Sequence, residues 1–139
     1  MKSMQEEGMR LIREAEAILR RDAQGALLER DFNMVVRRAQ EAVELTLKGA
    51  LKILGVDYPK VHDVAPLFLE KLRQKWGTGD QEVFQRIEEI SLWLAQSRIP
   101  SFYFEREYNI EDAEKAFKDG ALVVTEVKKL LDVSDSVNK

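Results

Sequence analysis

The stretch from Asp31 to Leu54 limits most strongly what this chain can become. Phe32, Val36, Ala39, Val43, Leu47, Ala50 and Leu54 recur at spacings of three or four, the repeat of one helix face. On a helical wheel of about 100° per residue, Val35, Ala42, Gly49 and Ile53 widen that stripe on one side and Leu51 on the other. The polar back carries Arg37, Glu41, Glu44, Lys48 and Lys52. Glu44 and Lys48 stand in the favoured i, i+4 order, worth about 0.3 kcal/mol. A helix apolar over so wide an arc has to be covered from two sides, so this segment is expected to be the central helix of a bundle. Asp31 is a good N-cap for it, and Gly55 is positioned to stop it.

The flanking segments follow the same period. Met4, Leu11, Ala15, Ile18 and Leu19 start a stripe that continues through Ala23, Ala26 and Leu27 with a phase drift, and a bend or fray is expected at Asp22 to Gly25. Asp57 to Lys60 reads as a loop, with His62 and Asp63 at the start of a third helix, Val64 to Trp76. Residues 77–79 break the chain, and Asp80 caps a fourth helix expected to end near Ser97, with Val83, Phe84, Ile87, Ile90 and Leu94 inward. Arg98 to Tyr108 is expected to be a loop. Asn109 caps a last helix, Ile110 to Asp132, whose Gly120 predicts close approach by a neighbour, and residues 133–139 read as a polar tail. No sustained alternation supports strands. The expected fold is all-α, an antiparallel up-and-down bundle of four long helices plus a shorter one, in a single domain spanning 1–132.

Composition removes several kinds of chemistry. With no cysteine among 139 residues there are no disulfides, thiolates or cysteine zinc sites, and a cytoplasmic setting is expected. A single histidine rules out multi-histidine zinc and di-iron sites within one chain, and no metal site is expected. The net charge of −3 disfavours nucleic-acid binding driven by bulk charge. Glu6, Glu7, Arg10 and Arg13 interrupt the N-terminal segment, so no leader peptide is expected, and no apolar run is long enough for a membrane span.

The candidate site residues each carry two readings. Arg98 offers a planar fork of donors for a phosphate, or pairs with Glu105 or Glu107. His62, the single imidazole, is suited to a phosphate or base, or simply precedes an Asp63 N-cap. Tyr103 and Tyr108, with Phe102 and Phe104, stack on a base, close the core or build a subunit interface. Arg38 and Gln40 border the central helix's apolar arc, where they reach a ligand or cover apolar neighbours. Leu92 and Trp93 are apolar beyond the inner stripe of the fourth helix, the pattern of an isologous dimer contact.

Four motifs in order carry a family resemblance: Arg38 to Ala42 followed by Leu47 and Lys48, then Pro59 to Val64, then Ser97 to Pro100, then Glu111 to Ala113. Together they resemble the HEPN family, the nucleotide-binding domain of higher eukaryotes and prokaryotes, over roughly residues 10–131. The resemblance implies a helical bundle, often a homodimer, often partnered with a small nucleotidyltransferase in a toxin–antitoxin-like pair, and in many members a metal-independent ribonuclease. Those ribonucleases carry an arginine and a histidine with four to six residues between them. Arg98 fits the arginine, but the window ends on Tyr103, Phe104 or Glu105. Losing one proton-transfer group forfeits roughly 10²- to 10⁴-fold in rate. The resemblance therefore implies a module that binds a nucleotide or a partner without cutting RNA, with no imidazole in reach of Arg98. The alternatives are a diverged ribonuclease using Arg98 with Tyr103 or His62, and a purely structural interaction bundle.

Overall fold

The computed structural model describes residues 3–77 and 79–137. Its elements are α1 (Met4–Ala17), a π-helical turn (Ile18–Ala23), α2 (Gln24–Leu28), α3 (Phe32–Ile53), α4 (Ala65–Trp76), α5 (Gln81–Phe102) and α6 (Ile110–Val137). The first three run continuously, so the molecule is an all-α bundle of four long helices and one shorter one. Among the described residues no helix is long and apolar enough to cross a membrane.

The expected caps form where Asp31 and Asp80 stand, their carboxylates accepting from the Met34 N–H and from the Glu82 and Val83 N–H groups. Gly55, at φ 82°, closes α3 with the Val56 N–H bonded to the Leu51 carbonyl. The drift in the first stripe is absorbed without fraying. One π-helical turn rephases the helix, so Ala15, Ile18, Leu19, Ala23 and Ala26 all stay buried.

α3 is central, as its wide arc requires. Gly8 meets Gly49 and Ala26 clusters with Val35, so α1–α2 runs antiparallel to α3. Asn33 bonds to the Ser101 carbonyl and Gln40 to Arg98, so α5 is antiparallel to α3 on another side. Ala113 packs with Val35 and Gly120 lies against Ala39, so α6 runs parallel to α3. The close approach expected at Gly120 is present, with a Cβ there 3.3 Å from Leu19 and 3.5 Å from Ala39.

Three boundaries differ from expectation. α5 runs past Ser97 to Phe102 with Pro100 inside it. The ring removes the donor for the Gln96 carbonyl near the helix end, and beside it the Ser97 and Ser101 hydroxyls donate to the Trp93 and Arg98 carbonyls. The helix then closes with the Glu105 N–H on the Pro100 carbonyl, which forces Phe104 to φ 56°, the position usually given to glycine. Arg98 is therefore helical, and the aromatic loop begins at Tyr103. α6 continues to Val137 rather than stopping at Asp132, because residues 133–137 hold no glycine or proline stop; residues 138 and 139 lie outside the described residues. Finally, Asp63 does not cap α4. Val64 is the N-cap, without a side-chain bond, and Asp63 instead accepts from the Ser91 hydroxyl at 2.7 Å.

Candidate functional site

The central helix places Gln40, Glu44 and Lys48 one turn apart on the flank of its apolar arc. The segment after Gly55 returns across this flank and brings His62 to it, while antiparallel α5 brings Arg98 from the other side. All four groups meet at one carboxylate. Glu44 Oε2 accepts from Lys48 at 2.8 Å, and Oε1 accepts from Gln40 Nε2 and from His62 Nδ1, each at 2.8 Å. Arg98 NH1 donates to Gln40 Oε1 at 2.9 Å and lies 4.0 Å from Glu44 Oε1.

Gln40 is buried and Glu44 nearly so, whereas Arg98 and His62 have 38% and 52% of their side chains exposed. The buried members hold and the exposed members face outward. Burial pushes the Glu44 carboxyl up, but the Lys48, Gln40 and His62 donors together hold it below the usual carboxylate range. A carboxylate with a depressed folded value stabilises the fold above its unfolded value, about 4.3, and that contribution is lost as pH falls through the folded value. Thermal melts are accordingly expected to show an acid-side loss of stability that Glu44→Gln diminishes. Identical acid limbs in the two proteins would contradict this.

The arrangement corrects one expectation outright. An imidazole does stand beside Arg98: the two share Glu44 Oε1. A search along the chain for a histidine near Arg98 misses it, because His62 arrives through the fold. The anticipated pairing of Arg98 with Glu105 or Glu107 is likewise replaced by Gln40 and Glu44.

Next to the cluster lies a recess of about 330 Å³, lined by Arg37, Arg98, Ile99, Phe102 and Tyr103. That volume falls in the range of small-molecule sites. Arg98 belongs to both the cluster and the recess. The Arg37 guanidinium lies 4.0 Å from the Phe102 ring centroid, and Phe102 and Tyr103 pack edge to face at 4.7 Å. Ile99, Phe102, Tyr103 and Phe104 are all exposed, Tyr103 by 65%. Four cations, Arg37, Arg38, Lys48 and Arg98, face two carboxylates, Glu41 and Glu44, so the neighbourhood is locally positive on a protein of net negative charge.

The other candidates are elsewhere. Arg38 turns to Glu41 at 2.9 Å and does not join the cluster. Tyr108 is buried, with Arg106 over its ring at 4.7 Å and its N–H donating to Asn33 Oδ1, so it closes the end of the core. Trp93 is engaged within the chain: its indole N–H donates to Asp119 Oδ2 at 2.9 Å and the Lys115 ammonium sits 4.2 Å from its ring. That accounts for Trp93 without a second copy, while Leu92 remains 46% exposed. Among the described residues no group of three His, Asp or Glu side chains is placed to hold a metal ion.

Sequence reasoning overlooked Glu44 as the hub and Arg37 as a wall of the recess. The i, i+4, i+8 run of Gln40, Glu44 and Lys48 beside an apolar arc was the available signal for the first.

The HEPN domain model matches residues 9–130, nearly the whole chain. The chain belongs to the HEPN domain family. Neither a search of curated proteins nor one of solved structures returned a match. Within this HEPN domain three of the four motif segments quoted above converge in space. Arg38 to Ala42 contributes Gln40, Pro59 to Val64 contributes His62, and Ser97 to Pro100 contributes Arg98 and Ile99. Family membership supports a helical nucleotide-binding or ribonuclease-like module.

Proposed function

We propose that this HEPN domain binds a nucleotide in the Arg98 recess. The observation that carries the reading is the convergence of half-buried Arg98 and Arg37 and exposed His62 beside exposed Phe102 and Tyr103. Guanidinium groups suit a phosphate, which they bind through paired N–H donors, and the adjacent ring faces suit a base. Arg98 has a rigid backing in Gln40, which keeps its fork from collapsing onto the protein surface. No further cofactor is required.

Calorimetric titration with AMP, ATP, GMP and GTP tests this. Binding to the wild type that weakens at least tenfold in Arg98→Ala is the expected outcome, since one charge-assisted phosphate contact is worth about 1.5–3 kcal/mol. The absence of any heat change at millimolar nucleotide would sink it. In a cell, the reading has the domain acting as a cytoplasmic homodimer, with exposed Leu92 at the contact, docked to a small nucleotidyltransferase as in a toxin–antitoxin pair.

One contact favours a second reading. A histidine whose Nδ1 is held by a carboxylate presents Nε2 as a base, and here it does so beside an arginine suited to a phosphate. That is the equipment of a metal-independent ribonuclease assembled without the usual spacing. RNA cleavage by the wild type that disappears in both His62→Ala and Arg98→Ala supports it; equal cleavage by all three proteins, or none by any, rejects it.

A further inference from the structure

Glu44 stands one step behind the groups assigned to the ligand, and its contacts are directional. An ionised carboxylate only accepts hydrogen bonds, so every group facing it has to present a proton. For His62 this decides the tautomer. Nδ1 carries the hydrogen that points at Oε1, and in the neutral ring Nε2 keeps its lone pair. For Gln40 it decides the amide orientation: the NH₂ faces Glu44 at 2.8 Å, which turns the carbonyl oxygen to Arg98 NH1 at 2.9 Å. One largely buried carboxylate thus orients an imidazole directly and a guanidinium through one intervening amide. Lys48 on Oε2 holds the carboxylate itself in place.

We infer that Glu44 is the positioning residue of the recess, setting the orientation of both Arg98 and His62 without touching the ligand. Arg98 lines the recess and His62 stands next to Arg98 on Glu44, so a ligand that fills the recess and extends over Arg98 meets two different groups. Arg98 supplies donors for an anionic phosphate oxygen. Neutral His62 supplies an acceptor at Nε2, which selects a group bearing a hydrogen, such as a sugar hydroxyl. A nucleotide offers both within one molecule. The ligand half of this inference rests on the nucleotide reading; the geometric half does not.

His62 is the single histidine, so its ring nitrogen resonances are free of overlap. The experiment records long-range proton–nitrogen spectra of the ring at alkaline pH, together with titrations of 5′-AMP, for the wild type, Glu44→Gln and Gln40→Leu. In the wild type the neutral ring is expected to carry its proton on Nδ1. Glu44→Gln is expected to move the population toward the Nε2–H form and to weaken 5′-AMP binding at least tenfold. Gln40→Leu breaks only the arm to Arg98, so it weakens binding while leaving the His62 tautomer as in the wild type. A general loss of structure would not separate the two arms in this way. Should Glu44→Gln fail to fold, the wild-type tautomer and the Gln40→Leu split still decide the matter. A wild-type ring protonated on Nε2, or a folded Glu44→Gln with unchanged tautomer and unchanged affinity, overturns the inference. Expected tautomers without any 5′-AMP binding leave the positioning geometry standing and remove the nucleotide reading alone.

Discussion

Replacing Asn33 by alanine is expected to destabilise the domain by about 3 kcal/mol, because three backbone groups, two of them in buried hydrogen bonds, lose their partner at once. Asn33 sits in the first turn of α3 and is 7% exposed. Its Nδ2 donates to the Ser101 carbonyl at 3.2 Å and to the Arg106 carbonyl at 2.9 Å, and its Oδ1 accepts from the Tyr108 N–H at 2.9 Å. The Ser101 carbonyl is one that α5 leaves unpaired at its C-terminal end. Together these bonds tie the end of α5 and the return of the chain toward α6 to the central helix, and the exposed aromatic residues ride on that tie. Denaturant unfolding would register the loss, and hydrogen exchange is expected to accelerate first at the Tyr108 amide. An Asn33→Ala protein as stable as the wild type, with Tyr108 still protected, would mean that the tie contributes nothing.

Gly49→Ala is expected to be comparably damaging, by about 2–3 kcal/mol, although alanine is the better helix former by about 1 kcal/mol. A Cβ at Gly49 would lie 2.6 Å from the Gly8 carbonyl oxygen and 3.0 Å from Ile12, and one at Gly8 would clash with the Gly49 carbonyl oxygen. The two helices touch backbone to backbone, and no rotamer change can relieve a clash with a main-chain oxygen. α1 has to move off α3, opening the core around Ile12. Gly25 is the control of opposite sign. Nothing lies within 4 Å of a Cβ there, so Gly25→Ala in α2 should raise stability by up to about 1 kcal/mol. Melting curves of the two variants are expected to shift in opposite directions; a shift of the same sign in both would remove the close-contact explanation.

The parts of the fold legible in the sequence are those governed by neighbours three and four apart. The wide stripe of α3, its Asp31 cap and its Gly55 stop depend on contacts within a few residues, and they are found as read. The extension of α5 was not legible, since Pro100 ordinarily marks a helix end and what sustains the last turn includes Asn33, far away in the chain. The same holds for the site. Gln40, His62 and Arg98 were recognisable as residues of the right chemistry, but their meeting at Glu44 joins positions far apart in sequence. Glu44 itself was read as half of a helix-surface ion pair with Lys48, which is true and incomplete. Tyr108 and Trp93 show the converse: aromatic character gave no indication that one would fill the core and the other would be held by Asp119 and Lys115.

The claim on which the functional account turns is that Arg98, His62 and the aromatic residues beside them form one ligand site. Nuclear magnetic resonance of the isotope-labelled domain during titration with 5′-AMP addresses it most directly. The account predicts that the His62 ring, the Arg98 side-chain N–H and the Tyr103 ring respond together, with one affinity. Shifts confined to another surface, or resonances at these three residues that stay still at millimolar nucleotide, would contradict it.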